Sequence, residues 1–503
     1  MYLIAMLLGK SISFISRLFN LGAGATWPGE IALWFDPRIL PKLLPRIKKG
    51  VIIVAGTNGK TTTTLMVKKI LEDQEYGILH NESGANLLNG IVSAFLADGR
   101  KTYDYAVFEV DENTLPAIIF NFQFSIFNKN LKKNKTKYSI VLLNLFRDQL
   151  DRYGEVDTIA NNWLNALETI DNNTTVLINA DDPHLAFIGR EISLHMSSLP
   201  RNKMRGRLQQ GSKIPASAFA EASVDRQGRN DNKNQNIQYF GIDDKKYYLP
   251  KMQHATDTIF CPSCGNRLTF EGVYFSHLGD WMCTKCGFTH PASTITSSQV
   301  TSPLEGVYNM YNTLAATLVL KTTGIDKKQI QKGLQNFTPA FGRMEDISYK
   351  GKDVRILLSK NPTGFNESLR TVLSSKHKGP MMLLLNDRIP DGTDVSWIWD
   401  VDFEVLAHDE HKIKEQDERK IIVSGDRVLD MGLRLKYSID ISKIKDQRSK
   451  IQIKNQKYRI IENLRKAVDE FVAQIKEGET GWILATYSAM LDVRKILTGK
   501  KIL

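Results

Sequence analysis

Residues 51–64 of this 503-residue chain read VIIVAGTNGKTTTT, an apolar run that breaks into a glycine-containing turn and then a helical pattern. These residue types suit phosphate chemistry. Gly56 and Gly59 let the backbone turn tightly, so that the N–H groups of Thr57, Asn58 and their neighbours converge where a new helix brings its positive end. Lys60 adds a mobile cation, and Thr61 or Thr62 offers a hydroxyl to Mg²⁺. The expected ligand is a nucleotide, ATP first. The turn departs from the general phosphate-loop spacing at Val54, where that pattern has a further glycine. A second run, YAVFEVDE, ends in Glu109, Asp111 and Glu112. Carboxylates at the end of a parallel strand lie at the edge where doubly wound sheets bind ligands, so Glu109 is expected to reach a Mg²⁺ held on ATP.

All four cysteines fall in two C-x-x-C pairs, Cys261 with Cys264 and Cys283 with Cys286. Each pair can grip one ion from a tight turn relieved by Gly265 or Gly287, and four thiolates suit tetrahedral Zn²⁺. No coordination position is left open, so the zinc is expected to be structural. No cysteine remains for a disulfide or for nucleophilic work, which points to a reducing compartment, the cytoplasm. The net charge of +12 favours polyanionic partners such as nucleotides, nucleic acid or an anionic membrane surface. Between the cysteine pairs stand one Arg and no Lys, which argues against nucleic acid at this ribbon.

The elements that must hold these groups alternate along the chain. Residues 1–45 begin with MYLIAMLLGKSISFISRLFNLG, whose Lys10 and Arg17 come too early for a spanning helix. Its apolar residues at 3, 4, 7, 8, 12, 15, 18 and 19 make one helical stripe, expected to pack on the core, with peripheral membrane contact as the other use. From residue 46, strands and helices follow one another: Val51–Val54, the helix after the loop, YGILH, the run Tyr105–Glu112, a strand from Ser139, and TVLINADDP. Residues 197–238 are polar and aperiodic and are expected to be a disordered insertion, and residues 257–290 carry the ribbon. Beyond it come a helix with Asn309 and Asn312 and a second over Lys327–Phe337. From 346 to 503 a smaller α/β unit is expected. Its strands are VRILLSKNP, MMLLLND, KIIVSGD and GWILATY, and its helices begin at Asn366, Val428 and Arg459.

The loop's short form, GTNGKT, resembles the ATP loop of Mur ligases and folylpolyglutamate synthases. Further matches follow along the chain: Asn144 leaving a strand before Asp148, Asp151 and Gly154; Asn179 and Asp182 in NADD; Asn309 and Asn312 in a GxxNxxNxxAA-like helix; and Gly342, Arg343 and Glu345 in a GRxE turn. Gln149, Tyr153 and Lys360 stand where the amino-acid-adding ligases often have His. The ribbon together with SKNPTGFN and LLLNDRIPDGTDVSWIWDVDFE resembles the MurT family, synthetase subunits of lipid II isoglutaminyl synthase. The resemblance implies a Mur-ligase-like central P-loop domain (46–345) with a parallel sheet and inserted zinc ribbon, then a Rossmann-like C-terminal domain. It also implies ATP-dependent amidation of the α-carboxylate of D-glutamate in lipid II through an acyl phosphate. A separate GatD-type glutaminase, forming a heterodimer with the chain, would supply ammonia. By the same resemblance Asn144, Asn179, Asp182 and Asn309 lie by the nucleotide, Arg343 steadies the γ-phosphate, and Asp394 orients the partner's catalytic His. Lys60, Glu109 and Asp394 are the expected catalytic set. Two other readings stay open at this stage: a Mur or folylpolyglutamate-type amino-acid ligase, and a zinc-ribbon ATPase acting on nucleic acid.

Overall fold

The computed structural model describes residues 2–18, 26–81, 84–127, 136–148, 155–171, 173–198, 236–339, 343–406, 420–444 and 458–499. Helices α1 (Tyr2–Leu18), α2 (Trp27–Phe35) and α3 (Ile39–Leu43) precede β1 (Ile47–Ala55), α4 (Lys60–Glu72), β2 (Ile78–His80), α5 (Leu88–Ala97) and β3 (Tyr103–Val110). Then come α6 (Leu115–Phe127), β4 (Lys137–Leu142), α7 (Val156–Leu167), β5 (Thr174–Asn179), α8 (Pro183–Ser198) and β6 (Ile237–Gly241). The ribbon hairpin β7 (Thr269–Phe275) and β8 (Leu278–Met282) interrupts the series before β9 (Ile295–Thr296) rejoins it.

Seven strands make one sheet in the order β2-β3-β1-β4-β5-β6-β9, every pair parallel. Val51 to Ala55 are buried without alternation, because helices cover both faces of a parallel sheet. Val51 and Ile53 pack with Phe95, Phe108 and Trp163 on one face. Ile52 and Val54 pack on the other with α9 (Val307–Thr322) and α10 (Lys327–Gln335). Residues Asn309 to Leu320 of α9 are all buried, so this helix runs through the core. The chain steps from β1 toward β3 on one side and β4 on the other, and this reversal opens a crevice at the strands' carboxyl ends.

The second sheet is built from β10 (Arg343–Tyr349), β11 (Lys352–Leu358), α11 (Pro362–Ser374), β12 (Met381–Leu384), β13 (Ile421–Ser424), α12 (Val428–Ile444), β14 (Tyr458–Ile460), α13 (Leu464–Ala473), β15 (Thr480–Ala485) and α14 (Tyr487–Thr498). Its order is β10-β11-β15-β12-β13-β14, parallel except for the β10–β11 hairpin. The four strands read from the sequence are present, and the two edge strands, β10 and β14, were not legible. Arg343 and Glu345, read as part of a GRxE turn, lie instead in β10, whose hairpin closes through Lys350 and Gly351, both at positive φ. Arg459 and Ile460, read as the start of a helix, belong with Tyr458 to β14, which pairs with β13; Asn463 then caps α13 by accepting from the Lys466 N–H. The segment 199–235, most of the expected insertion, lies outside the described residues, and Ile237 and Gln238 already belong to β6.

Helix α1 packs through a different face from the stripe expected. Ala5 and Ser13 are buried with Gly9, whose bare backbone approaches Leu96 so closely that a Cβ would lie 2.6 Å from its Cδ1. Leu3 (73% exposed), Leu7 (67%) and Phe14 (67%) point away. Small residues win the contact because they let two helices approach closely. Among the described residues no helix is long and apolar enough to cross a membrane.

Candidate functional site

The phosphate loop stands where β1 ends and α4 begins, at the crevice of the first sheet. Gly56 and Gly59 have φ of +144° and +92°, a backbone that side chains rarely adopt. Space is closed at Gly59 as well: a Cβ there would meet the Asn312 Oδ1 at 2.1 Å. The rest of the loop is clamped from the end of β4. Asn58 N–H donates to Asn144 Oδ1 at 2.9 Å and Asn144 Nδ2 donates to Asn58 O at 3.0 Å. Thr57 Oγ1 accepts from the Phe146 N–H at 3.0 Å. Asn179 and Asp182 are fully buried one layer behind. Asn179 Nδ2 donates to Leu143 O, and Asp182 accepts from the Leu145 N–H and stands 3.5 Å from His277 Nε2. They hold the segment that carries Asn144, and these hydrogen bonds occupy them inside the protein.

Lys60 lies folded back on its own loop, donating to Gly56 O at 2.5 Å and facing Glu112 Oε2 at 3.1 Å, with both side chains buried. Burial alone would lower the lysine's pKa, but Glu112, Glu109 and Asp111 outweigh it and hold the ammonium charged above its ordinary range. Burial likewise works against the charge on Glu112, and Lys60 and Lys360 pull its pKa below the ordinary carboxylate value. Thr61 Oγ1 donates to Glu109 Oε2 at 2.7 Å. A hydroxyl and a carboxylate converging beside a phosphate cradle are hard oxygen donors of the kind Mg²⁺ takes, so the residues fit that ion. The sequence singled out Glu109, whereas the lysine's direct partner is Glu112.

The second unit closes over this loop. Lys360, at the end of β11, pairs with buried Asp148, and Asn361 Nδ2 donates to Asn58 Oδ1 at 3.2 Å. Asn361 also caps α11 by accepting from the Gly364 N–H, which aims that helix's start at the loop. Between the units a cavity runs from Gly59 and Thr62, past Asn309 and Asn312, to Glu367 on α11. Asn312, one turn beyond Asn309 on the same helix, was the nearer neighbour of the loop, and its i, i+3 spacing was the available signal. The side chain of Arg343, with Gln149, Asp151, Tyr153, Gly154 and Gly342, lies outside the described residues.

The four cysteine sulfurs all lie within 4.8 Å of one another. Cys261 and Cys286 Sγ are 3.6 Å apart, and Cys264 and Cys283 Sγ 3.5 Å. A tetrahedral zinc with Zn–S of about 2.3 Å asks for sulfurs about 3.8 Å apart, so the residues fit that ion. Behind the ribbon, His290 Nε2 meets buried Asp181 at 2.7 Å, and Asp181 also accepts from the Tyr311 hydroxyl on α9. That chain links the ribbon to the wall of the cavity, and no sequence pattern announced it.

Asp394 stands exposed after β12. Its carboxylate accepts from the Ser396 N–H at 2.8 Å and from the Ser396 hydroxyl at 2.9 Å, which hold it below its ordinary pKa. Trp397 is half-buried beside it and Trp399 exposed.

Two family models match the chain: one described as Mur ligase middle domain over residues 54–199, and one described as MurT ligase C-terminal over 358–490. The lipid II isoglutaminyl synthase (glutamine-hydrolyzing) subunit MurT of Streptococcus pneumoniae is 30% identical over 519 residues, covering 99% of this chain and 97% of the relative. The Staphylococcus aureus protein of the same name is 30% identical over 433 residues, covering 82% and 83%. Among solved structures, a pseudomurein peptide ligase type C from Methanothermus fervidus aligns with a TM-score of 0.55 at 22% identity, covering 91% of this chain and 80% of that one. A MurF ligase from Thermotoga maritima in complex with ADP aligns at 0.52 and 14% identity, covering 93% and 83%. These structural likenesses show the fold alone.

Proposed function

This chain belongs to the MurT family of lipid II isoglutaminyl synthase subunits, and from that premise we propose how its residues divide the work. It is a carbon–nitrogen ligase that amidates the α-carboxylate of D-glutamate in the lipid II stem peptide, giving D-isoglutamine. The observation that carries the residue assignment is the charged cluster at the loop, Lys60 on Glu112 and Thr61 on Glu109, with every thiol gathered into the ribbon.

In the first step a carboxylate oxygen of D-glutamate attacks the γ-phosphorus of ATP, the bond to the ADP oxygen breaks, and an acyl phosphate forms. Lys60 leaves Gly56 O and Glu112 to meet the phosphate oxygens, neutralising charge as it develops. Thr61 and Glu109 would hold Mg²⁺, which supplies further neutralisation when bound. Ammonia then attacks the acyl carbon, phosphate leaves with the C–O bonding pair, and nitrogen loses a proton. No protein nucleophile is needed. The ribbon cysteines would hold a structural zinc.

The chain works as one subunit of a complex, and the partner we propose is a GatD-type glutaminase supplying ammonia from glutamine. No cysteine of this chain is left for that hydrolysis. Asp394, exposed and kept ionised by Ser396, is suited to accept from an imidazole N–H of that partner and orient it. The outward face of α1, with Leu3, Leu7 and Phe14 joined by Trp34 (80% exposed) on the contacting α2, suits the surface of the membrane that carries the lipid substrate.

Reconstitution with the glutaminase, lipid II, ATP and glutamine tests the reading. The stem peptide should show the mass change of a carboxyl-to-amide exchange, and an unchanged peptide in the complete mixture would sink it.

A further inference from the structure

Glu367 is a buried carboxyl that the mechanism above does not use. It sits on α11, 2% exposed, and both carboxylate oxygens lack a hydrogen-bond partner. Leaving a buried carboxyl's lone pairs unmet is costly unless a proton or a ligand satisfies them. Its nearest cation is the Arg370 guanidinium, 3.7 Å from Oε1, which spends its hydrogen bonds on Tyr274 O and Tyr247 O. The cavity it lines is also lined by the rings of Phe275, Tyr308 and Tyr311 and by Met344 and Leu357. The same cavity is lined by Gly59 and Thr62 of the phosphate loop and by Asn309 and Asn312, Asn312 standing beside Gly59 and donating to Asn309 Oδ1 at 3.2 Å. A molecule filling it would be anionic at one end, hydroxylated or polar in the middle, and flat and apolar with a hydrogen-bonding edge at the end facing Glu367. A nucleoside triphosphate has that sequence of parts.

We propose that Glu367 is the residue that reads the base edge of the nucleotide. Carrying a proton on one oxygen, its carboxyl donates to the adenine ring nitrogen N1 and accepts from the neighbouring exocyclic amine. This rests on the nucleotide reading of the cleft and deepens it. Burial pushes the carboxyl's pKa up to about 7, against the opposing pull of Arg370 and Gln253, so the protonated form is available near neutrality. Among the described residues, Arg370 on its own helix and Tyr311 on α9 are the charged or titratable groups that act on it, with the Gln253 amide beside it.

The test measures binding of ATP and of inorganic tripolyphosphate to the full chain by titration calorimetry, for the wild type and two variants. Glu367→Leu should weaken ATP by about tenfold to a hundredfold, the worth of two lost hydrogen bonds, with tripolyphosphate held within about twofold. Glu367→Gln, whose amide donates and accepts as the protonated carboxyl does, should keep wild-type ATP affinity. Raising the pH from about 6 to about 9 removes the proton, so ATP affinity should fall in the wild type and stay level in Glu367→Gln. Melting curves control for folding. If Glu367→Leu binds ATP as the wild type does, or if both ligands weaken together in a variant that melts normally, Glu367 does not read the base, while the nucleotide reading stands. If the wild type fails to bind ATP at all, that reading falls too.

Discussion

Replacing Glu112 by Gln keeps the side chain's shape and removes the charge that Lys60 faces at 3.1 Å. Breaking a buried pair by removing one partner costs about 3–5 kcal/mol, because the survivor stays buried without its counter-charge. Lys60 retains its hydrogen bonds to Gly56 O and Thr57 O and the attraction of Glu109 and Asp111, so the loss belongs at the low end, about 3 kcal/mol. The phosphates of ATP offer the lysine a new partner. Calorimetric melting with and without MgATP should therefore show a lower melting temperature for the variant alone and a larger upward shift on adding nucleotide. The pH dependence has a definite sign. A carboxyl held low contributes stability above its unfolded pKa and loses it as pH falls through the folded value; a lysine held high contributes below its unfolded pKa and loses it as pH rises through the folded value. Glu112 is lowered and Lys60 raised, so the gap between wild type and variant should be flat across neutral pH and close in acid. A variant that melts with the wild type, or that gains less from MgATP, would refute the assignment of Glu112 as the lysine's resting counter-charge.

Gly59→Ala places a Cβ 2.1 Å from Asn312 Oδ1 at a φ of +92°. The backbone penalty alone is about 1–2 kcal/mol, and a titration should show ATP affinity lower by about tenfold or more. Asp394→Asn should abolish glutamine-dependent amidation and spare amidation from added ammonia; equal loss of both would remove Asp394 from the partner's active site. Freshly purified chain should carry about one zinc, and Cys283→Ser should lose it. Because His290 and Asp181 tie the ribbon to Tyr311, zinc removal should also weaken ATP binding, and unchanged affinity in the stripped protein would show that the tie carries no such coupling.

Local patterns were legible because they report local physics. The glycines of GTNGKT announce a backbone that only glycine adopts freely, the C-x-x-C pairs announce a turn that can grip an ion, and unbroken apolar runs announce strands covered on both faces. Those signals place the phosphate loop, the paired cysteines and the parallel strands of both units, but not the antiparallel β10–β11 hairpin. They do not say which charges meet. Glu109 and Glu112 end the same run, yet Glu112 takes the lysine and Glu109 the Thr61 hydroxyl, because strand register and the turn after β3 aim them differently. The family resemblance sets Asn179 and Asp182 by the nucleotide, and packing turns them inward to hold the segment carrying Asn144. Helix α1 shows the same limit, since an apolar stripe says which face is greasy and not which face finds a neighbour close enough to bury it. Glu367 is the clearest case. In the sequence it is one charged residue in an ordinary helix, and only the closure of the second unit over the first removes its water and leaves it lining the cavity between them.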